Sequence, residues 1–552
     1  MTERTSRTVL LRGGTVYSPA DPFATAMLIE GEQIAWVGSE GAADAYASVA
    51  DEVVDLAGAL VTPAFVDAHV HATATGLALT GLDLTDCPSL AEALARIADF
   101  ARGAEGVLIG HGWDETRWPE GRPPTLAELD QAAGGAPLYL SRTDVHSALA
   151  TSALRARTPG LAELSGHHPA APLRADAHHA VRRAALDQLT DDQRRQAQLA
   201  TLRRAASLGI AALHECAGPE ISSEGDLAAL LALAAEEQGP EVYGYWGELS
   251  ERGGVERARR LGAVGAGGDL FVDGAFGSRT ACLHAPYADA APADGPAAAG
   301  GEVPRTGTAY LTAEQVADHV TACTEAGLQA GFHAIGDAAI DAVLAGVRTA
   351  ADRLGPARVK ALRHRVEHAE ALDDKTIAAF AELGLTASMQ PAFDAAWGGG
   401  TGMYAQRLGS ERARALNPFA ALLRAGVPLA FGSDAPVTAL DPWGTVRAAA
   451  FHQTPEHRIS VRAAFAAHTR GGWRALGRDQ EGVLVPGVPA TYALWRTGEL
   501  VVQAPDDRVA GWSTDPRSGI PGLPDLTPGT ELPACLRTVV RGRTVYERAL
   551  LG

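Results

Sequence analysis

Two histidines, His69 and His71, stand one residue apart at the end of a short apolar run that begins at Ala59. A short, β-branched apolar run is typical of a buried strand. Because side chains alternate along a strand, both imidazoles would point the same way. Such a pair can offer two nitrogen ligands to one metal ion, although a lone His-x-His is more often structural.

Later strand-like runs also end in residues that can bind a metal, namely His333, His368 and Asp434. These ends can meet if the strands form one parallel barrel, whose active site lies at the C-terminal strand ends. Eight strand-like runs are present: 59–71, 209–214, 241–246, 269–273, 328–333, 363–368, 385–389 and 428–434. Helix-like segments at 227–237, 314–326, 337–354 and 373–383 separate them. The alternation predicts an α/β protein with a (β/α)8 TIM barrel.

Six motifs in this order resemble the metal-dependent amidohydrolase superfamily, and within it the amidohydrolase-3 group of YtcJ-like proteins. They are Thr62–His71, Gly110–Glu115, Asp273–Thr280, His333–Asp337, Arg365–His368 and Gly432–Val437, and they span nearly the whole chain. The resemblance implies that the metal ligands are His69, His71, His333, His368 and Asp434. Their chemistry agrees, because imidazole and carboxylate suit zinc, with iron or manganese as alternatives. The alternative is five residues that merely end strands.

A divalent ion in this site would acidify a water molecule and so provide a nucleophile near neutral pH. Asp434 would accept the proton of that water and pass it to a leaving amine. The predicted activity is hydrolysis of a non-peptide C–N bond, in an amide, an N-acyl or N-formyl group, or a cyclic amide. Ester hydrolysis, decarboxylation or isomerisation at the same site, or a non-catalytic barrel, are the alternatives.

One position departs from the family. Many members carry a carboxylated lysine on strand four that bridges two metals, whereas this chain has Asp269 there. Its only lysines, Lys360 and Lys375, flank strand six. We therefore expect one ion rather than two, with Asp269 or Glu215 as a bridging carboxylate in the alternative. Glu215 could equally orient a ligand histidine.

We assign the barrel, including an inserted subdomain, to residues 62–482. A second unit is predicted from the chain termini. Alternating short strands in residues 1–61 and 483–552 predict one small β-sandwich built from both termini. Residues 72–208 are too long for an ordinary connection after strand one, so they predict an inserted subdomain over the barrel mouth.

Substrate contacts are expected mainly from this insert. The candidates are Trp113, Asp114, Asp144, His146 and, just beyond strand four, Arg279. Trp113 could stack on a substrate or pack in a core, and Arg279 could pair with a substrate carboxylate or with one of the protein. A histidine cluster at 167–168 and 178–179 lies among Pro, Ala and Gly. We predict neither a strand nor a helix there, and no metal site.

The net charge of -19 argues against nucleic acid or an anionic membrane as partner. Five scattered cysteines without a Cys-x-x-Cys pair, and a start that lacks a signal-peptide pattern, predict a cytoplasmic protein. The sequence contains no phosphate-binding turn of the kind that would indicate a nucleotide cofactor. The expected partner is a small-molecule substrate, and the family resemblance implies a homodimer.

Overall fold

Eight parallel strands form the centre of the molecule. The computed structural model describes residues 7–103, 106–170, 172–290, 305–503, 512–513 and 522–548. The strands are Phe65–Val70, Ile210–Ala217, Glu241–Trp246, Gly265–Ala266, Gln329–Ala334, Arg365–His368, Thr386–Met389 and Leu429–Phe431. They are hydrogen-bonded in this order, and a bridge from Val70 to Ala435 joins the last strand's extension to the first. The predicted (β/α)8 barrel is confirmed.

Helices follow the strands and cover the barrel with apolar side chains. They are Ala72–Thr80, Asp191–Ser207, Glu224–Glu236, Gly254–Leu261, Ala313–Ala326, Asp337–Leu354, Pro356–Ala361, Asp374–Leu383, Pro391–Trp397, Met403–Leu408, Ser410–Arg414, Phe419–Arg424, Pro442–Ala450, Val461–Ala467 and Arg470–Ala475. Capping boxes begin three of them, at Thr190, Thr312 and Asp373. Each satisfies backbone N–H groups that have no partner within the helix.

The fourth strand differs from the prediction. We expected residues 269–273, but the strand is Gly265–Ala266. Gly267 and Gly268 follow it with φ angles of 151° and 78°, a left-handed conformation that glycine tolerates. A Cβ at Gly267 would lie 2.1 Å from the Gly331 nitrogen on strand five. The regular strand therefore ends here and Asp269 lies in the bend that follows, while Phe271 and its neighbours still pair with His333 of strand five.

Two terminal sheets lie beside the barrel. One contains Thr8–Arg12, Ala26–Glu30, Gln33–Gly38 and Glu52–Asp55. The helix Glu40–Ala47 connects the last two of these strands. The other combines both chain ends: Thr15–Val16, Leu60–Pro63, Tyr492–Arg496, Ala534–Val540 and Arg543–Glu547. A shared apolar core contains Leu11, Met27, Val61, Tyr492 and Val539. Strands Leu500–Gln503, Trp512–Ser513 and Leu523–Pro524 form a small third sheet. The proposed domain boundaries stay predictions, and part of residues 483–552 lies outside the described ranges.

The insert has its own sheet, made of Leu82–Asp83, Leu108–Trp113, Leu138–Arg142, Ser147–Ala150 and Leu173–Arg174. Its helices are Leu90–Gly103, Leu126–Ala132, Ser152–Arg155 and Ala175–Leu186. The last helix corrects the sequence interpretation, because it carries His178 and His179, where we predicted no regular element. Its apolar face, with Ala177, Val181 and Ala185, packs into the insert core, and this tertiary burial stabilises the helix.

Within the described ranges, every helix is too short or too polar to cross a bilayer. All five cysteines are free thiols.

Candidate metal centre

The predicted ligands converge at the C-terminal mouth of the barrel. The His69 and His368 ring centres lie 4.9 Å apart, and those of His333 and His368 lie 4.4 Å apart. His71 Nε2 lies 3.1 Å from Asp434 Oδ1, and His69 Nε2 lies 3.5 Å from the same oxygen. All five side chains are buried. The barrel thus brings together residues from strands one, five and six and from the segment after strand eight. The most distant of them, His69 and Asp434, are 365 positions apart in the sequence.

Asp269 lies in the middle of these histidines. Its Oδ1 is 3.4 Å from His69 Nε2, 3.4 Å from His333 Nδ1 and 3.6 Å from His368 Nε2. Its Oδ2 is 3.1 Å from His71 Nε2. One carboxylate therefore contacts both histidine pairs, one pair from strand one and one from strands five and six.

Glu215, the other candidate for a bridge, is placed differently. It is buried at the end of strand two, and its Oε2 accepts a hydrogen bond of 2.7 Å from the backbone N–H of Ala72. Burial raises its pKa to about 7. This hydrogen bond holds Ala72, the residue that follows His71. Of the two carboxylates, Asp269 is the one surrounded by histidines.

The donor set fits a divalent cation. His69 Nε2, His368 Nε2 and Asp434 Oδ1 are buried and make no hydrogen bond within the described residues. Two ligands that are each about 2.1 Å from a tetrahedral zinc ion lie about 3.4 Å apart. The separations of 3.1 to 3.6 Å around Asp269 match that geometry. Buried atoms of this kind need a partner, and a cation between them would supply it.

The electrostatics support the same conclusion. Burial alone would lower the pKa of His71, but its interactions with Asp269 and Asp434 raise it to about 9. Burial opposes the same change at His69, where Cys216, Asp269 and Asp434 raise the pKa well above its usual value. Burial alone would raise the pKa of Asp269, yet His69, His333 and His368 hold it well below the usual range. The site thus favours positive charge, whether from protons or from a metal ion.

Buried polar groups behind the ligands fix their orientation, and sequence reasoning missed them. Glu367 Oε2 lies 2.9 Å from His69 Nδ1, and Arg365 donates to Glu367 and to the carbonyl of Ala68. Gln390 Oε1 lies 2.8 Å from His368 Nδ1. A carboxylate on the second ring nitrogen directs the first one to a metal. The alternation in Arg365-Val-Glu-His was an available signal for Glu367, since residues 365 and 367 share one strand face.

Backbone conformation also marks the site. Asp434 has a φ angle of 53° and His368 one of 68°, both in the left-handed region that costs a non-glycine residue energy. Asp67 Oδ1 accepts hydrogen bonds from the backbone N–H groups of Ser433 and His69, at 2.9 and 3.2 Å. This carboxylate therefore ties the Asp434 turn to strand one.

A cavity of about 820 Å³ opens from the candidate ligands towards the insert. It is lined by His71, Asp269, His333, His368 and Asp434 on the barrel side and by both apolar and polar residues of the insert on the other. His146 lines it as well, and its ring centre lies 5.0 Å from that of His333. Burial holds the pKa of His146 well below its usual value. A second cavity of about 330 Å³ adjoins the same histidines.

The other predicted substrate residues lie elsewhere. Trp113 is fully buried in the insert core, and its indole N–H donates to the carbonyl of Leu140 at 3.0 Å. Its position corresponds to the packing alternative, because strand Leu108–Trp113 turns this side chain inward. Arg279 pairs with Asp289 at 2.7 Å and thus follows the alternative of a protein carboxylate.

Asp114 and Asp144 belong to a buried ion cluster. Arg142 contacts Asp114 at 3.0 Å, Glu115 at 3.0 Å and Asp144 at 2.8 Å. Ser278 also donates to Asp144. Asp144 lines the smaller cavity, whereas Asp114 lines neither cavity. The cluster connects the insert to the loop after strand four.

The residues of the large cavity that sequence reasoning missed include His179, Arg182 and Phe271. His179 and Arg182 lie on the helix Ala175–Leu186, which we had not predicted. Residues three positions apart share a face only in a helix, so without that helix the sequence did not indicate that His179 and Arg182 lie side by side.

Comparison with known proteins agrees with the fold and identifies the family. The sequence profile of the amidohydrolase family matches residues 52–546, so the chain belongs to the amidohydrolase family. "Putative amidohydrolase YtcJ" of Bacillus subtilis (strain 168) is 26% identical over 78% of this chain and 81% of its own. N-substituted formamide deformylase of Arthrobacter pascens is 25% identical over 83% of this chain and 87% of its own.

A solved structure shows the same architecture. An uncharacterized metal-dependent hydrolase from Pyrococcus furiosus superimposes with a TM-score of 0.67 at 25% identity, over 88% of this chain and 98% of that one. The family assignment made from the motifs is confirmed. The architecture is that of a metal-dependent hydrolase.

Proposed function

We propose that this protein hydrolyses a non-peptide C–N bond, in an amide, an N-acyl or N-formyl group, or a cyclic amide, with a divalent metal ion. The observation that carries the proposal is the convergence of four histidines and Asp434 around Asp269 at the end of an 820 Å³ cavity. The similarity to an N-substituted formamide deformylase supports the choice of a C–N bond.

The metal would be held by His69, His71, His333, His368 and Asp434, with zinc preferred and iron or manganese as alternatives. When bound, a divalent ion would polarise a substrate carbonyl and make a water molecule more acidic. One ion per chain remains our expectation. In the alternative of two ions, Asp269, His333 and His368 would help to hold the second one.

Asp434 would move the proton. Its Oδ1 is buried, lies 3.1 Å from His71 Nε2 and has no hydrogen bond within the described residues. This oxygen is thus free to accept a proton from the attacking water and to return it to the leaving nitrogen. His146, whose ring centre lies 5.0 Å from that of His333, would contact the substrate from the insert. The predicted homodimer and the cytoplasmic location stay predictions.

A substrate screen tests the proposal. Purified protein is assayed with N-formyl amines, N-acyl amino acids, cyclic amides and the esters matched to them, beside a His69→Ala variant. We expect amine release from at least one C–N substrate, and we expect the variant to lose it. Turnover of the esters without any of the matched amides would overturn the assignment to C–N bonds.

A further inference from the structure

The side of the large cavity that faces the metal ligands combines apolar side chains with several polar ones, such as Ser141 and His179, and with one guanidinium. Its apolar residues are Leu77, Ile109, Val145, Leu186, Ile221 and Phe271. Arg182, on the helix Ala175–Leu186, is the only arginine or lysine among the described residues that line this cavity. A single guanidinium on a largely apolar wall defines where a substrate's anionic end can lie.

The hydrogen bonds of Arg182 all go to neutral groups. Its Nε donates to the hydroxyl of Tyr139 at 3.2 Å, and its two terminal nitrogens donate to the carbonyls of Val145 at 2.6 Å and Glu220 at 3.2 Å. One terminal nitrogen also lies 3.4 Å from His178 Nε2. Glu220, whose backbone carbonyl accepts from Arg182, directs its carboxylate to Arg183 at 3.2 Å instead.

No carboxylate of the described residues forms an ion pair with Arg182 within 4.0 Å. Arg142, Arg279 and Arg407 differ from it, because Arg142 has three carboxylates and Arg279 and Arg407 share Asp289. A half-buried charge without a counterion is unfavourable unless a ligand supplies one. Arg182 also keeps an unused N–H, because a guanidinium has five N–H donors and its partners here engage four at most.

The neighbouring histidines respond to this uncompensated charge. Burial is the main cause that lowers the pKa of His179 to about 3, and the positive charge of Arg182 lowers it further. Burial and then Arg182 likewise hold the pKa of His178 well below its usual value. Both imidazoles are therefore neutral near pH 7, and Arg182 provides the positive charge on this wall.

We propose that Arg182 binds a carboxylate of the substrate. The substrate class is then an N-acyl or N-formyl compound whose apolar portion carries a carboxylate, with the scissile bond at the histidines and the carboxylate at the insert helix. Val145 links the two ends, since its carbonyl accepts from Arg182 and the next residue, His146, contacts His333. This inference rests on the proposed function, because it places the substrate in the same cavity.

Calorimetric binding of two probes tests the inference without turnover. The probes are 4-phenylbutyrate and 4-phenylbutyramide, which differ only in the carboxylate, and the protein is the full chain as purified. We expect wild-type protein to bind the carboxylate at least tenfold more tightly, since hydrogen bonds to a charged group are stronger than those to a neutral one. Arg182→Gln should abolish this preference.

The matched control is Arg183→Gln, which removes the same charge one position along the helix, where the side chain is exposed and pairs with Glu220. It should keep the wild-type preference. A carboxylate that binds only at the metal would retain its affinity in Arg182→Gln, and that result would overturn the inference. Equal affinity of the two probes for wild-type protein would overturn it as well, even if Arg182→Gln failed to fold.

The outcome is separable from that of the substrate screen. Hydrolysis of neutral amides, together with equal binding of the two probes, would leave the proposed function in place and remove the role of Arg182. A carboxylate preference that depends on Arg182, without any hydrolysis, would leave the binding site in place and remove the proposed activity.

Discussion

The barrel mouth and the insert wall line one cavity, but they bury opposite charges. At the mouth, Asp269 and Asp434 raise the pKa values of His69 and His71, so the site favours a cation. On the wall, Arg182 stands among histidines whose pKa values are lowered, so it favours an anion. The pKa values of histidines are therefore shifted in opposite directions at the two ends. It also predicts a substrate with a reacting group at one end and a carboxylate at the other.

The largest effect should come from Asp434→Asn. The amide keeps the shape of the side chain but cannot accept and return a proton, so we expect turnover of any substrate found in the screen to fall by about 10²–10⁴-fold. Steady-state kinetics measures this loss. Asp394→Asn, at a buried carboxylate that binds the backbone N–H of Gln453, is the control and should remain active. Comparable activity of the two variants would contradict the role of Asp434.

Within the insert, Arg142 and Arg182 should differ in stability. Arg142→Gln leaves Asp114 and Asp144 without their cation and leaves Glu115 with Arg407 alone, and breaking a buried ion cluster costs about 3–5 kcal/mol. Arg182→Gln removes a cation that lacks a carboxylate partner and should change stability much less. Thermal unfolding of the two variants measures the difference. Equal destabilisation would indicate that Arg182 is a structural residue.

At the barrel mouth, Asp269 and Glu215 should differ in metal binding. Asp269→Asn removes a charge that lies 3.1 to 3.6 Å from four histidine nitrogens, so we expect metal affinity to fall at least tenfold. Glu215→Gln should retain more metal, because its carboxylate binds the backbone of Ala72. Chelator competition followed by elemental analysis compares them. Greater metal loss in Glu215→Gln would reverse the assignment.

A smaller, pH-dependent effect is expected at His319, which is buried away from the cavity. Burial lowers its pKa to about 4, so in acid the unfolded chain, with a pKa near 6.5, binds a proton that the folded chain does not. Stability is therefore lost as pH falls from 6.5 to 4, by about 3 kcal/mol at most. Denaturant unfolding across this range should show a shallower loss in His319→Gln. An unchanged slope would show that other groups control acid unfolding.

The sequence predicted the barrel mouth far better than the insert wall. His69, His71, His333 and His368 follow directly from strand periodicity, because strand ends in a parallel barrel must meet. Asp269 was identified as a candidate although strand four was misplaced, since the glycine pair at 267–268 ends that strand early. The six motifs also sufficed for the family assignment.

The insert residues could not be placed in the same way. Whether Trp113 faces a core or a cavity depends on which side of its strand packs against the insert helices, and no local pattern gives that. Arg182 became visible only through the helix Ala175–Leu186 and through the absence of an ion-pair partner among the described residues. Long-range pairing of charges is a property of the folded chain, so it has no local signature in the sequence.

The central claim, that the barrel mouth holds a metal, is tested most directly by elemental analysis of the purified, unchelated protein beside His69→Ala. We predict about one zinc, iron or manganese per chain, lost in the variant. Two ions per chain would support the arrangement bridged by Asp269. A protein that contains no metal, even after incubation with zinc, iron or manganese, would contradict the account.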